Sequence, residues 1–168
     1  FDNCPTTMVM IGNDPDQCSG KLNWSIPTAT DACATFVSMT QTGGPASGSV
    51  VAITCPPAPL TITYTANDGN GNTRSCTFQV MVIDTEKPEF DADILMPGNV
   101  TVECDAVPAK ANPTATDNCT SSPNIVFVGE TIMNSASPDS YTLERKWTAT
   151  DECNNVTTAI QLLTVQDT

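Results

Sequence analysis

The segment Pro27-Thr-Ala-Thr-Asp-Ala-Cys33 recurs almost unchanged as Pro113-Thr-Ala-Thr-Asp-Asn-Cys119, 86 residues further along the chain. Each segment ends in a cysteine that follows an earlier one, Cys18 or Cys104, by the same 15 residues. Self-similarity at a fixed spacing is the signature of a repeat protein. The chain is therefore predicted to consist of two copies of one structural unit.

The repeat continues to the end of the chain, where Asp84-Thr85 recurs as Asp167-Thr168 at an offset of 83 residues. Charged residues and a proline between the copies, in Glu86-Lys87-Pro88-Glu89, suit an exposed linker. We therefore place one repeat at residues 1–86 and a second at residues 87–168. Because the ends of the chain fall near repeat boundaries, we expect a piece of a longer array.

Apolar and polar side chains alternate at a period of two in both copies, which is the pattern of half-buried β-strands. Clusters of Gly, Asn, Asp and Pro separate these runs, and no stretch has a convincing helical period. Six or seven short strands in about 85 residues predict an all-β fold of two tandem antiparallel β-sandwiches. The alternating positions are Leu22, Trp24 and Ile26; Leu60, Ile62, Tyr64 and Ala66; Cys76, Phe78, Val80 and Val82; Val100 and Val102; Tyr141, Leu143, Arg145, Trp147 and Ala149; and Ala159, Gln161, Leu163 and Val165.

Composition and charge exclude several classes of function. The chain has eight cysteines and no histidine, and no two cysteines have the Cys-x-x-Cys spacing of zinc knuckles. Without a Ser-His-Asp triad, a Gly-x-Ser-x-Gly turn or a phosphate loop, we predict that the protein is not an enzyme. The net charge of −13 would repel nucleic acid and anionic membranes, and no run is long and apolar enough to predict a membrane span. The cysteines favour a secreted disulfide framework.

Several motifs of the first copy together resemble a hyalin repeat, the HYR domain. They cover that copy almost from end to end, in Cys4-Pro5, Pro27–Cys33, Tyr64–Asn72, Cys76–Phe78 and Val82–Pro88. The second copy resembles a divergent HYR-like repeat, in Glu103–Asp105, Pro113–Cys119, Glu144–Cys153 and Val165–Thr168. The resemblance implies immunoglobulin-like sandwiches of an extracellular adhesion or matrix protein. It implies no shared catalytic site, because the family is defined by its scaffold.

The repeat suggests how the cysteines pair. The second copy has Asp93 and Ala159 where the first has Cys4 and Cys76. Because both cysteines disappear together, we predict a Cys4–Cys76 disulfide that ties the first strand to the last. The equally spaced cysteines then give two short bridges, Cys18–Cys33 and Cys104–Cys119, and some of these thiols could instead be simply buried.

Cys55 and Cys153 are left over, one in each copy. Strand order in a sandwich places both near the junction of the repeats. We therefore predict an interdomain Cys55–Cys153 disulfide that locks the repeats together. The alternative is a bond between neighbouring chains, which would make a covalent polymer.

Acidic residues around the linker suggest a calcium-binding site. Calcium is the one cofactor for which the sequence gives an argument. The set is Asp84, Glu86, Asp91 and Asp93, and carboxylate oxygens are the ligands that Ca²⁺ prefers. A calcium site and a solvated acidic surface fit these residues equally. For Asp68, Asn70 and Asn72, whose spacing also suggests calcium, we favour a turn held by side-chain hydrogen bonds. Asp31 and Asp117 are predicted to cap the turns before Cys33 and Cys119.

Four Asn-x-Ser/Thr acceptor sequences predict a glycoprotein if the source is a secreting eukaryote: Asn23, Asn99, Asn118 and Asn155. Asn99 and Asn155 are the favoured acceptors, since Asn118 lies beside a cysteine.

The predicted function is a non-catalytic segment of an extracellular fibre, matrix or adhesive tandem-repeat protein, either secreted or on the cell surface. Its expected partners are neighbouring copies of itself in a filament or array, other matrix or surface proteins, and attached glycans. The alternative is a carbohydrate- or protein-binding module of a cell-surface receptor or adhesin. Against it, the two Trp and two Tyr fall largely at core positions, so no exposed aromatic cluster is predicted.

Overall fold

A computed structural model describes residues 1–33, 37–91 and 98–167 of the chain. The chain divides into two compact units, Phe1–Thr85 and Glu86–Thr168, a boundary one residue before the predicted one. Every regular element in the described residues is a β-strand, so the fold is all-β.

The described residues of the first unit form six strands: β1 Val9–Gly12, β2 Ser19–Lys21, β3 Ser38–Gly43, β4 Val50–Ala52, β5 Leu60–Asn67 and β6 Thr73–Ile83. Four of them form a sheet in the order β1-β6-β5-β3, and β2 pairs with β4 in a small second sheet. The two sheets approach closely at Gly20. A Cβ atom there would lie 2.6 Å from Val82 Cγ1, so only glycine fits.

The core of the first unit is apolar and aromatic. Ile62, Tyr64, Phe78 and Val80 are buried on one face of the β5–β6 hairpin, as the alternation predicted. Trp24 meets Phe78 edge-on at a ring distance of 5.7 Å, and its Nε1 donates a hydrogen bond of 3.1 Å to the Tyr64 hydroxyl. The buried indole therefore has both an apolar neighbour and a polar partner, as such a group requires.

The predicted strand at Leu22, Trp24 and Ile26 does not form. Strand β2 ends at Lys21, and the following residues are irregular, with Leu22 and Trp24 buried and Ile26 exposed. The alternation predicted the burial of Leu22 and Trp24 but was wrong about Ile26 and about a strand, because an irregular segment can also point single side chains inward.

In the part of the second unit that the structure describes there are also six strands: β7 Glu89–Phe90, β8 Val100–Glu103, β9 Ala115–Thr116, β10 Asn124–Ser137, β11 Ser140–Thr150 and β12 Val156–Gln166. Its main sheet has the order β8-β12-β11-β10, which matches β1-β6-β5-β3 of the first unit strand for strand. The bulge that interrupts β3 between Gln41 and Gly43 recurs in β10 between Phe127 and Gly129. The two units therefore repeat one topology down to a local irregularity.

The predicted antiparallel β-sandwiches include one parallel pair of strands at an edge of each unit. Strand β1 runs parallel to β6, with Val9 beside Val80, and β8 runs parallel to β12, with Val100 beside Leu163. Alternation could not reveal this, because parallel and antiparallel strands both send every second side chain to the same face.

A polar row crosses the second unit's core. Glu130, Arg145 and Gln161 are cross-strand neighbours on β10, β11 and β12. Arg145 is 4% exposed and Gln161 is 1% exposed. The Arg145 guanidinium donates to Glu130 at 2.9 Å and to the carbonyls of Pro108 at 2.7 Å and Ala109 at 3.3 Å. The two breaks in the apolar alternation therefore form one row, in which the buried charge is paired.

Candidate functional site

The cysteine framework connects distant parts of the first unit. Cys4 and Cys76 form a disulfide with a Cα–Cα distance of 5.9 Å across 72 residues of sequence. Cys76 is buried on β6, so the bridge anchors the N-terminal segment to the longest strand of the unit. This pairing is the one that the repeat comparison predicted.

The two predicted short bridges are absent from the structure. Cys33 and Cys104 are free, exposed thiols, so the Cys18–Cys33 and Cys104–Cys119 disulfides are not formed. Equal spacing in sequence was a poor guide, because a disulfide needs suitable Cα and Cβ geometry rather than a recurrent interval. Cys18, Cys55, Cys119 and Cys153 are all disulfide-bonded.

Backbone contacts show what surrounds these four cysteines. The Ile53 amide donates to the Cys18 carbonyl at 3.1 Å, which extends the β2–β4 ladder towards Cys55. In the second unit, the Glu152 amide donates to Thr120 Oγ1 at 2.9 Å, between the neighbours of Cys119 and Cys153. Each contact lies within one unit.

The Cys104 thiol has a raised pKa. Desolvation by the surrounding chain is the main cause, and the nearby carboxylates of Asp167, Asp139 and Asp105 raise the pKa further because they oppose a thiolate. The thiolate is the form that attacks disulfides, so this exposed thiol is a slow partner in disulfide exchange at neutral pH.

Equivalent aspartates cap equivalent turns in the two units, as predicted. Asp31 Oδ1 accepts a hydrogen bond of 2.8 Å from the Cys33 amide. Asp117 Oδ1 accepts from the amides of Cys119 at 2.9 Å and Thr120 at 2.7 Å. These carboxylates satisfy turn amides that would otherwise lack a partner.

The Asp68 turn is also held by side-chain hydrogen bonds. Asp68 Oδ2 accepts from Asn72 Nδ2 at 2.6 Å, and its Oδ1 accepts from the amides of Asn70 and Asn72 at 2.8 and 3.0 Å. The Asn72 side chain is the main cause of a lowered pKa of Asp68, followed by the Asn70 amide. Asp151 and Asn155 repeat the side-chain bond at 2.8 Å in the second unit.

The linker acids have different surroundings. Asp84 is buried at the end of the first unit, whereas Glu86 and Asp91 are half-buried at the start of the second. Asp91 Oδ2 accepts a short hydrogen bond from Thr114 Oγ1. Asp93 lies outside the described residues. One of the predicted calcium ligands is thus already engaged by a hydroxyl of its own unit.

Asp117, which was predicted only to cap a turn, also lies near another acid. Carboxylate oxygens of Asp117 and Asp151 lie within 4.8 Å of each other in the second unit, and Asp117 Oδ2 is buried with no hydrogen-bond partner. Calcium takes about six to eight oxygen ligands, so this pair alone does not make a site.

The four glycosylation sequences differ in accessibility. Asn23 and Asn99 are exposed, whereas Asn118 and Asn155 are half-buried. Nδ2 of Asn155, the atom that would carry a glycan, donates to Asp151. The side-chain oxygen of Asn99 accepts from the Leu162 amide at 2.8 Å.

Residues 1–82 match the family model of the HYR domain. The first repeat is an HYR domain. Curated relatives include the Sushi, von Willebrand factor type A, EGF and pentraxin domain-containing protein 1 of Rattus norvegicus and that of Mus musculus, each 34% identical over 94 residues. The match covers 53% of this chain but spans only 2% of each relative's length.

Solved structures similar to the chain include cadherin domains. Domains 3–6 of protocadherin gamma B2 are 14% identical with a TM-score of 0.38, over 96% of this chain and 51% of theirs. Domains 1–2 of human mucin-like protocadherin are 12% identical with a TM-score of 0.31, over 96% of each chain. Neither TM-score is high enough to establish a shared arrangement.

Neither the HYR domain nor the second unit presents an aromatic binding platform in its described residues. None of the exposed large apolar side chains there is aromatic. A cavity of about 260 Å³ in the second unit is lined partly by Lys110, Phe127 and Trp147. Lys110 Nζ lies 4.5 Å from the centre of the Phe127 ring, and Trp147 is buried beneath the surface. The described part of the chain also contains no apolar helix of membrane-spanning length.

Proposed function

We propose that this chain is a non-catalytic segment of an extracellular tandem-repeat protein with a structural or adhesive role. The observation that carries the proposal is the repetition of one strand order and one bulge position in two consecutive units, the first of which is an HYR domain. In such arrays each unit is a spacer, and the number of units sets the reach.

The second unit is a divergent HYR-like repeat under this proposal. Besides the strand order, it repeats a bridge of the first unit: the Asp2 amide donates to the Thr28 carbonyl at 2.7 Å, and the Asp91 amide donates to the Thr114 carbonyl at 2.9 Å. These residues are equivalent in the two copies. The two units differ mainly in their side chains. This is expected where the backbone topology is retained and the core is repacked.

An extracellular location follows from the same framework. Cys4 and Cys76, together with four further cysteines, are disulfide-bonded, and such bridges persist in oxidising compartments. HYR domains are a non-enzymatic domain type. The rival function, a carbohydrate- or protein-binding module, has the Lys110–Phe127 cavity in its favour, but that cavity lacks an exposed ring on which a sugar could stack.

Imaging of the native protein tests the structural role. The natural full-length protein would be isolated with an antibody against this chain and viewed by negative-stain electron microscopy. Long regular filaments or rods support the proposal. A compact monomer that retains a glycan or protein ligand through purification supports the binding module instead.

For the four other disulfide-bonded cysteines we infer the pairs Cys18–Cys55 and Cys119–Cys153. The contacts of Ile53 with Cys18 and of Glu152 with Thr120 support these pairs, which replace the predicted Cys55–Cys153 bridge. Non-reducing peptide mapping should yield both cross-linked peptides and two free thiols per chain. A Cys55–Cys153 peptide would restore the earlier prediction, and a bridge between chains would support the covalent polymer.

We also propose that the chain is glycosylated, with Asn23 in place of Asn155 among the favoured acceptors. Asn23 and Asn99 are exposed, whereas Nδ2 of Asn155 is engaged by Asp151. In a protein secreted from eukaryotic cells we expect glycan at Asn23 or Asn99 and little at Asn155. Glycopeptide mass spectrometry measures the occupancy of each, and full occupancy at Asn155 alone would contradict this choice.

Calcium at the linker acids remains a prediction of the sequence. Calorimetric titration of the chain, with calcium up to a few millimolar as the range of extracellular modules requires, is the direct test. An Asp91→Asn variant should weaken any heat of binding if the linker acids hold the ion. No heat with the unmodified chain would remove calcium from the proposal.

A further inference from the structure

The outer face of the second unit's main sheet carries exposed apolar side chains. Val126 and Val128 on β10 are 46% and 56% exposed, and Val156 and Ile160 on β12 are 42% and 52% exposed. We call these four side chains the apolar face. Isolated exposed aliphatic residues need no explanation, but a group on one sheet face is typical of an interaction surface.

Strand register places all four side chains on the same side of the sheet. Val126 is the cross-strand neighbour of Thr148, Ile160 that of Lys146, and Val156 that of Thr150. These β11 residues alternate with buried Trp147 and Ala149, so they point away from the core. Val128 occupies the bulge opposite Lys146 and joins the same side.

The first unit presents hydroxyl groups at the equivalent places. The counterparts of Val126, Val128, Val156 and Ile160 are, in order, Thr40, Thr42, Thr73 and Thr77. Hydroxyls on that face bond one another, with Thr42 to Thr65 at 3.0 Å and Thr63 to Thr77 at 3.3 Å. Every apolar residue of the face therefore has a β-branched threonine as its counterpart, and the polar version shows that the fold does not require the apolar one.

Charge on this face favours a second copy of the same chain. The chain carries a net charge of −13, which opposes self-association in general. On the central strand of this sheet, however, Glu144 and Lys146 point outward side by side, so the face has one acid and one base. A two-fold axis that crosses the strands at Arg145 would bring Glu144 of one copy opposite Lys146 of the other. It would also place each apolar face over the part of the partner's sheet that begins at Glu144 and Leu162, as an isologous contact allows.

The whole outer face of β10, β11 and β12, of which the apolar face is one part, is large enough for a weak interface. Three strands spaced about 4.8 Å apart and about 36 Å long present roughly 500 Å² on each partner. A face-to-face pair would bury about 1,000 Å² in total, near the lower limit for a specific interface. We therefore expect reversible rather than permanent association.

We propose that two chains associate laterally through the outer sheet faces of their second units, with Glu144 and Lys146 pairing across a two-fold axis. This inference rests on the proposed structural role, in which lateral contacts bundle neighbouring arrays. It is tested on the 168-residue chain in solution, so its failure is distinguishable from a failure to find filaments in the native protein.

Sedimentation velocity over a concentration series is the first measurement. The mass of the unmodified chain should rise towards twice that of one chain at high concentration. The variant V126T/V128T/V156T/I160T should stay monomeric, because it carries the first unit's side chains at all four positions. Threonine keeps both the shape and the strand preference of valine, so circular dichroism should show an intact fold.

Charge reversal supplies the sharper test. Glu144→Lys should weaken association by about tenfold or more. The new lysine of each copy would lie opposite Lys146 of the other copy, and the two positive charges would repel each other. The double variant E144K/K146E should restore it to near the original strength. As a matched control, Thr61→Lys at the equivalent position of the first unit should leave association unchanged.

Two results would overturn the proposal. One is a monomer at every concentration, and the other is a dimer that the four threonine substitutions do not weaken. If E144K/K146E fails to recover the association lost in Glu144→Lys, the two-fold pairing is wrong. Capture of a different protein or a carbohydrate by an otherwise monomeric chain would assign the face to that partner instead.

Discussion

The two units share one topology but build their cores differently. Where the first unit has Ile62 and Phe78, the second has Arg145 and Gln161 at the equivalent positions. Lys110 of the second unit stands in the place of Trp24. The strand order survives these changes because backbone pairing specifies it, and because carbonyls of the segment before Lys110 satisfy the buried guanidinium. The comparison teaches that this scaffold accepts a buried charge in its core when a carboxylate and backbone carbonyls accept its hydrogen bonds.

The units also differ in how their chain ends are held. The first has the Cys4–Cys76 disulfide, and the second has Ala159 in place of Cys76. Each unit contains one tryptophan, Trp24 or Trp147. Tryptophan fluorescence of variants that keep only one of them can therefore follow the unfolding of each unit separately.

Removal of the Cys4–Cys76 disulfide should cause the largest change in the relative stabilities of the two units. A bridge that closes a loop of this length stabilises by about 4 kcal/mol in the chain-entropy model. The variant C4A/C76A should lower the free energy of unfolding of the first unit by about that amount and leave the second unit unchanged, as measured by denaturant titration. Cys33→Ala, which removes a free thiol, is the control. Equal losses in both units would show that they do not unfold separately.

Loss of the buried guanidinium should have the next largest effect. Arg145→Met leaves Glu130 unpaired and the carbonyls of Pro108 and Ala109 without their donor. We expect the second unit to lose about 3 kcal/mol, the lower part of the range for a broken buried pair, because Glu130 remains half-exposed. Chemical unfolding of the second unit measures the loss. The exposed Arg74→Met of the first unit should change stability by less than about 0.5 kcal/mol.

Replacement of the buried amide should stabilise the second unit. Among the residues that the structure describes, Gln161 Oε1 is buried without a hydrogen-bond partner, and its Nε2 makes only a 3.5 Å bond to the Gly98 carbonyl. Gln161→Leu removes the unsatisfied oxygen, so we expect a gain of about 1 kcal/mol in the thermal or chemical unfolding of this unit. The exposed Gln79→Leu should give no such gain. A loss on Gln161→Leu would mean that the amide has a partner that contributes to stability.

The smallest expected effect is a pH dependence in the first unit. The pKa of Asp68 is lowered below its ordinary value of 3.8, chiefly by the Asn72 side chain, so folding favours the ionised carboxylate. This contribution is present above the ordinary pKa and disappears as the pH falls through the lowered one. The difference in melting temperature between the unmodified chain and Asp68→Asn should therefore shrink between about pH 5 and pH 2. Asp105→Asn in the second unit is the control. If this difference in melting temperature does not change with pH, the charge of the Asp68 carboxylate does not contribute to stability.

The amino-acid sequence by itself determined the features that depend on local chemistry or on internal repetition. The two units, the hairpins β5–β6 and β11–β12, and the Asp31 and Asp117 caps follow from turn residues and alternation, which act over a few positions. Only the tertiary structure decided the parallel edge strands and the free thiols at Cys33 and Cys104. It also decided how Arg145 is paired and which side chains share the apolar face. These features depend on distances between strands far apart in sequence, and neither spacing nor periodicity encodes such distances.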